Sequence, residues 1–118
     1  MQPDHIKICG LTTHEAVSTC ANAGCGFAGF IAYPPSPRHL SLARMAEFIA
    51  LLPATTRSVL VTVNATEEML ESYIPAVTPS ILQLHGDESP EHCLALKARF
   101  RLPIIKAFGI AAQEDLHL

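Results

Sequence analysis

The reactive side chains of this chain lie where short apolar segments end. Lys7-Ile8-Cys9-Gly10 ends the first segment in a thiol, followed by a glycine that leaves room for a ligand. A thiolate in such a place can act as a base or as a nucleophile, whereas many cysteines serve only as small apolar residues. Both roles stay open for Cys9, while packing is favoured for the cysteines in or beside predicted helices, which are Cys20, Cys25 and Cys93.

Two further segments end in side chains suited to anion binding or proton transfer. Tyr33–Arg38 is a loop stiffened by prolines, and its guanidinium can hold a carboxylate or a phosphate bidentately. Gln83-Leu84-His85-Gly86 ends in an imidazole that can donate to a substrate or move a proton. A solvated surface Arg and a hydrogen-bonded structural His are the alternatives for Arg38 and His85.

These segments belong to a regular alternation of strand and helix patterns. Strands are predicted at residues 6–9, 27–33, 58–64, 81–85 and 103–108. Helices are predicted at residues 13–23, 42–52, 66–77 and 90–100, with a further helix starting at Gln113. Thr12 or Thr13, Ser41 and Ser89 are suited to the helix N-termini. Such alternation is typical of a parallel sheet that is covered by helices.

Two parallel folds fit this pattern. One is a doubly wound, five-stranded sheet of flavodoxin type, and the other is an incomplete (β/α)8 barrel, whose full form needs roughly 200 residues or more. One face of most strands turns polar toward the C-terminal end, and the pairs are Lys7 and Cys9, Thr62 and Asn64, Gln83 and His85, and Lys106 and Phe108. Because barrel enzymes carry their sites at that end, we predict an α/β fold in which residues 1–118 form one domain, the first five β-α units of a barrel.

Composition narrows the classes of function. Hydrophobic residues make up 49% of the 118 residues and charged residues 16%, which is typical of a globular protein. The net charge of −3 gives no support to a nucleic-acid partner. No apolar run approaches a membrane span, and Met1–His5 has no features of a secretory signal. Without a Cys-x-x-Cys pair, metal-ligand spacing or a phosphate-binding glycine motif, we predict a reduced, cytoplasmic protein with no metal and no nucleotide cofactor.

Five strings at predicted strand ends together resemble the phosphoribosylanthranilate isomerase family, the (β/α)8-barrel enzymes of tryptophan biosynthesis. They occur in the order KICGLT, GFIAYPPSPR, VLVTVN, ILQLHGDESPE and PIIKAF. Each string is weakly specific alone, but the set runs along the whole chain in register.

The resemblance implies an Amadori rearrangement of N-(5-phosphoribosyl)anthranilate, a small phosphosugar substrate, without a cofactor. It implies that Cys9 is the general base and that Arg38 holds the anthranilate carboxylate. The expected substrate-binding residues are Arg38, Gln83, His85, Lys7 and Asn64.

The family's general acid is an Asp at the end of the sixth strand, and its phosphate-binding loops follow the seventh and eighth strands. Asp115 is no substitute, because it falls at the start of the predicted fifth helix. We therefore expect the 118 residues to be the first part of a longer chain and to lack isomerase activity alone. We also expect self-association through the unpaired edges of the open barrel.

Other functions stay open at this point. An epimerase barrel would need metal-binding His and Asp at strand ends, where the first strand offers Cys9. Indole-glycerol-phosphate synthase would need catalytic Lys and Glu at strand ends, and Lys106 alone is thin support. A flavodoxin-like binding module and a non-catalytic barrel remnant are the alternatives outside catalysis.

Overall fold

The computed structural model describes residues 5–108, in which strands and helices alternate. The strands are β1 (Lys7–Ile8), β2 (Phe27–Ile31), β3 (Arg57–Thr62), β4 (Ile81–Leu84) and β5 (Ile104–Lys106). The helices are α1 (His14–Asn22), α2 (Leu42–Ala50), α3 (Glu67–Val77) and α4 (Pro90–Phe100). The helix predicted from Gln113, and Asp115 with it, lies outside the described residues. No helix within residues 5–108 is long and apolar enough to cross a membrane.

The strands form one parallel sheet in chain order, β1-β2-β3-β4-β5. A flavodoxin-type sheet places its second strand outside the first, in the order 2-1-3-4-5. The doubly wound alternative is therefore wrong, because each strand here pairs with the next one along the chain. Sequential parallel pairing is the arrangement of a (β/α)8 barrel, so the predicted fold class is confirmed.

Hydroxyl side chains begin the helices, as the sequence predicts. Thr13 Oγ1 accepts a hydrogen bond from the Ala16 N–H at 3.1 Å, and Ser41 Oγ accepts one from the Arg44 N–H at 3.2 Å. Thr66 and Ser89 cap α3 and α4 in the same way. Each cap satisfies an N–H group that has no partner inside its helix. The helices therefore start at fixed points directly after the loops that carry the candidate site residues.

The two faces of the sheet carry separate apolar clusters. On the face that we call the helix face, Phe30, Leu60 and Leu82 are fully buried against the helices. The opposite face, which we call the inner face, carries Val59, Val61 and Ile81 with partly buried neighbours. Those neighbours are Cys9, Phe27, Ile31 and Ile105. Alternation along the strands thus sends Cys9 to the inner face, as predicted.

The prediction that Thr62 and Asn64 form a polar face of β3 is wrong. Val61 belongs to the inner cluster, so the adjacent Thr62 points to the helix face, where it is fully buried. Asn64 lies beyond the end of β3 with a φ of 50°, so strand alternation no longer sets its direction. Lys106 alternates with the inner-face residue Ile105 and therefore also faces the helices, contrary to the prediction for β5.

Within residues 5–108, the buried hydroxyl of Thr62 has no hydrogen-bond partner, which predicts a stabilising substitution. Thr62→Val should raise the free energy of unfolding by about 1 kcal/mol, because it removes an unsatisfied polar group and keeps the shape of the side chain. Thr56→Val is the matched control, since the buried Thr56 hydroxyl donates to the Cys25 carbonyl at 2.8 Å. Urea denaturation should show the control destabilised; equal destabilisation of both variants would contradict the prediction.

Candidate active site

The inner face of the sheet is concave. Lys7 Nζ on β1 donates a hydrogen bond to Gln83 Oε1 on β4, although β2 and β3 lie between the two strands. In a flat sheet, strands three places apart would be about 14 Å from each other. The two side chains meet because the sheet curls around them, as it does in a barrel wall. The C-terminal ends of the strands are thereby brought toward a common centre.

A pocket of about 450 Å³ opens at this centre, and we call it the Cys9 pocket. It joins three of the predicted site residues, Cys9, Arg38 and His85, which come from the ends of β1, β2 and β4. Its other lining residues are Ile31, Tyr33, Ser36, Val61 and Val63. Lys7 and Gln83 do not line it, because each lies two residues before a pocket residue on its strand. Their mutual hydrogen bond lies one layer deeper in the concave face.

Gly29 makes room for the thiol. A Cβ atom at this position of β2 would lie 3.2 Å from both Cα and Sγ of Cys9. The N–H groups of Gly10 and Leu11 both donate to the Gly29 carbonyl, at 3.0 and 3.1 Å. The backbone just after Cys9 is therefore anchored to β2, while the partly buried thiol lies over a residue that has no side chain.

Arg38 lies directly over the turn that follows Cys9. A Cβ atom at Gly10 would come within 2.7 Å of Arg38 Cδ and 2.9 Å of its Nη1. Gly10 also has a φ of 79°, a conformation that favours glycine. Glycine at this position thus permits both the turn and the close approach of the guanidinium. This explains why a glycine directly follows Cys9.

The proline loop is held by its own polar side chains. The Arg38 N–H donates to Ser36 Oγ at 3.1 Å, and the Tyr33 N–H donates to His39 Nδ1 at 2.9 Å. The Leu40 N–H then returns to the Ile31 carbonyl at 3.0 Å, at the end of β2. These bonds close the loop on its own strand, so Arg38 projects from a defined base, as the prolines predict.

His85 is exposed at the end of β4, and its N–H donates to the Thr62 carbonyl at 2.9 Å. Asn64, also predicted to bind substrate, lines a neighbouring pocket of about 590 Å³ with His85. The Asn64 Oδ1 atom accepts a hydrogen bond from the Asp87 N–H at 2.7 Å, so it already links two loops. A role for these residues with substrate stays a prediction.

A buried carboxylate organises these loops, and the sequence did not single it out. Glu88 Oε2 accepts the Asn64 N–H at 2.9 Å, and Oε1 accepts the Gly86 N–H at 2.9 Å and Lys106 Nζ at 2.6 Å. We call these four residues the Glu88 network. Nothing local in the sequence indicates a partner as distant along the chain as Lys106.

Cys20 and Cys25 fit packing roles. Burial and then the neighbouring Cys25 thiol raise the pKa of Cys20 to about 11, so Cys20 is a neutral thiol near neutral pH. Both cysteines are buried in the helix-face core, as predicted for them. Within residues 5–108, no cluster of three or more His, Cys, Asp and Glu side chains is arranged to hold a metal ion.

The Glu88 carboxylate predicts a pH dependence of stability. Burial raises its pKa, but hydrogen bonds from Lys106 and from backbone N–H groups outweigh burial, so the pKa lies below the ordinary 4.5. Its contribution to stability is therefore complete above that value and is lost as the pH falls through the folded-state pKa. The destabilisation caused by Glu88→Gln should shrink when urea titrations move from neutral pH to about pH 3. A cost that is constant over this range would contradict the prediction.

Known proteins share this architecture. The family model described as N-(5'phosphoribosyl)anthranilate (PRA) isomerase matches residues 6–117. The N-(5'-phosphoribosyl)anthranilate isomerase of Parvibaculum lavamentivorans is 42% identical over 110 residues, which cover 93% of this chain and 51% of that protein. The chain thus spans about half the length of the curated relatives that it matches.

Solved structures of the same family are similar to this chain. The phosphoribosyl anthranilate isomerase of Thermotoga maritima superposes with a TM-score of 0.85 at 32% identity, over 94% of this chain and 53% of that one. A phosphoribosyl anthranilate isomerase in complex with reduced 1-(o-carboxyphenylamino)-1-deoxyribulose 5-phosphate matches with the same score and identity, over 94% of this chain and 56% of that one. From its strand order, its strand-end residues and these matches, the chain belongs to the N-(5'-phosphoribosyl)anthranilate isomerase family.

Proposed function

We propose that this chain supplies the general base and the carboxylate-binding part of an isomerase that rearranges N-(5-phosphoribosyl)anthranilate to its 1-deoxyribulose 5-phosphate product in tryptophan biosynthesis. The observation that carries the proposal is the convergence of Cys9, Arg38 and His85 on one pocket at the C-terminal ends of parallel strands. Barrel enzymes place their catalytic residues at this end. Family membership supports the same activity.

The rearrangement needs an acid and then a base. Protonation of the furanose ring oxygen opens the ring to an iminium ion, which makes the proton on C2 acidic. The Cys9 thiolate removes that proton, the electron pair of the C–H bond forms the enolamine, and tautomerisation gives the ketose. A positioned base of this kind accelerates such a step by a factor of about 100 to 10,000. Glycine at position 29 leaves the thiol open to the pocket.

Arg38 is suited to the anthranilate carboxylate. Its guanidinium lies against Gly10, the residue after the proposed base, so a carboxylate bound there would hold the substrate beside Cys9. Planar, bidentate binding explains why an Arg rather than a Lys is useful at this position. The compound bound in one related isomerase carries an o-carboxyphenyl group, the kind of group that we assign to Arg38.

His85 and the deeper polar pair complete the proposed site. His85 faces Cys9 and Arg38 across the pocket and can donate a hydrogen bond to the phosphosugar. Lys7 and Gln83 are assigned to the floor, where their hydrogen bond presents a polar surface below the substrate. Asn64 is assigned to the rim beside His85.

The expected location of the protein is the cytoplasm, consistent with free thiols at Cys9, Cys20, Cys25 and Cys93.

The role of Cys9 is tested in a hybrid protein that joins residues 1–108 of this chain to the second half of the Parvibaculum lavamentivorans enzyme. The hybrid should catalyse the isomerisation, and Cys9→Ala should lower kcat by a factor of about 100 to 10,000. Cys93→Ala, at another partly buried thiol, is the matched control and should keep the activity. A folded hybrid that is inactive, or a Cys9→Ala variant with full activity, would sink the proposal.

The role of Arg38 predicts a change in substrate binding. Arg38→Lys in the same hybrid keeps the positive charge but loses the bidentate geometry, so KM should rise about tenfold or more. Arg44→Lys is the control, because Arg44 lies on the exposed surface of α2 in a pair with Glu47. Steady-state kinetics that show equal KM values for the two variants would contradict the assignment.

We also propose that the 118-residue chain self-associates through the two edge strands of its sheet, β1 and β5. Within residues 5–108, β1 and β5 each pair with a strand on one side only. An apolar groove flanks each of them, lined by Ile8, Leu11 and Cys20 at one side and by Leu94, Ile104 and Phe108 at the other. Open strand edges and apolar grooves favour pairing with a second copy.

Sedimentation velocity should therefore detect species heavier than the 12.7 kDa monomer. Leu94→Arg should shift the distribution toward the monomer, because Leu94 is 69% exposed at the β5 groove. Leu51→Arg alters a side chain that is 55% exposed outside both grooves and should leave the distribution unchanged. A purely monomeric chain would refute self-association.

A further inference from the structure

Glu88 combines deep burial with a position beside the proposed site. Its side chain is only 2% exposed, although it lies in the loop between β4 and α4. A carboxylate in such surroundings is costly unless it is paired and hydrogen-bonded. The Glu88 network supplies these partners, so the conformation of the loop depends on this single carboxylate.

The partners of Glu88 come from three consecutive strand ends. Asn64 follows β3, Gly86 follows β4 and Lys106 ends β5, and each donates to the carboxylate. Lys106 also donates to the Gly86 carbonyl, so both backbone polar groups of Gly86 are bound within the network. The C-terminal ends of three neighbouring strands are thus linked to one another through one carboxylate.

Gly86 is the residue directly after His85. The His85 N–H is bound to the Thr62 carbonyl on β3, and Gly86 is bound on both its N–H and its carbonyl. A Cβ atom at Gly86 would collide with the Asn64 side chain, so Gly86 is also tightly packed. The backbone of His85 and of the following residue is therefore fixed, while the His85 ring lines the Cys9 pocket.

We propose that Glu88 is a positioning residue that holds His85 in the isomerase site, an inference that rests on the proposed function. Glu88 does not line the Cys9 pocket, although it lines the neighbouring pocket with His85 and Asn64. Both of its oxygens are already bound by Asn64, Gly86 and Lys106, so it acts on His85 through Gly86. Its carboxylate is needed because it accepts from donors on both oxygens. An amide at this position would direct its own N–H groups toward one of those donors.

Amide hydrogen exchange on the full 118-residue chain separates local positioning from global stability. Glu88→Gln should raise the exchange rates of the Asn64, His85 and Gly86 amides about tenfold or more, because hydrogen bonds to a buried charge are lost. Exchange at Phe30, in the core of β2, should rise only by the factor that corresponds to the loss of global stability measured in urea, and by less than at the three loop amides. Glu88→Asp, which keeps the charge, should give an intermediate increase.

Glu71→Gln is the matched control, because Glu71 pairs with Arg99 between α3 and α4 but is half exposed. It should leave the exchange of His85 and Gly86 unchanged. A uniform rise in exchange at all amides, or complete loss of protection, would show that Glu88 only stabilises the fold and would overturn the proposal. Unchanged exchange at Asn64 and Gly86 would overturn it as well.

Kinetics in the hybrid protein supply the second readout. Glu88→Gln should lower kcat/KM about tenfold, with Glu71→Gln within about twofold of the unsubstituted hybrid. If the hybrid is inactive, the proposed function fails, whereas the exchange data still decide whether Glu88 holds His85. Normal kinetics in a Glu88→Gln hybrid would overturn the positioning role alone.

Discussion

The candidate site depends on one constraint, the curvature of a parallel sheet that is covered by helices on one face. The large side chains Phe30, Leu60 and Leu82 fill the helix face, whereas the inner-face cluster contains only residues of the strands and of their ends. The hydrogen bond from Lys7 to Gln83 spans the resulting concavity. Without this curvature, Cys9 and His85 would lie on strands too far apart to share a pocket.

Two glycines allow the close contacts between site residues that the curvature of the sheet does not provide by itself. Gly29 leaves space beside the Cys9 thiol, and Gly10 lets the Arg38 guanidinium lie against the backbone. Each pair joins residues on adjacent strands or their loops, so strand register sets the distances within the site. The distances between these residues of the candidate site consequently depend on the sheet. A scaffold of this kind allows side chains at strand ends to change while the framework persists.

The sequence predicted the strand–helix alternation, the capping residues and the convergence of Cys9, Arg38 and His85. Those features follow from local periodicity and from the rule that parallel strands end at one edge. It failed at Thr62 and Lys106, because a polar residue in a strand does not always face the inner side of the sheet. The Thr62 hydroxyl is instead buried without a hydrogen-bond partner in the part of the chain that the structure describes, and Lys106 is paired with a carboxylate from another loop.

Glu88 was missed for a related reason, since its partners are separated from it in the sequence and meet only after the sheet has formed. Lys106 is 18 positions away and Asn64 is 24, and neither spacing matches a helical or strand repeat. Burial of such a charge offers little net stability compared with apolar packing. The buried carboxylate does fix the orientation of its partners, because hydrogen bonds restrict angles as well as distances. A buried ion pair beside three strand ends therefore serves the geometry of the site more than the stability of the fold.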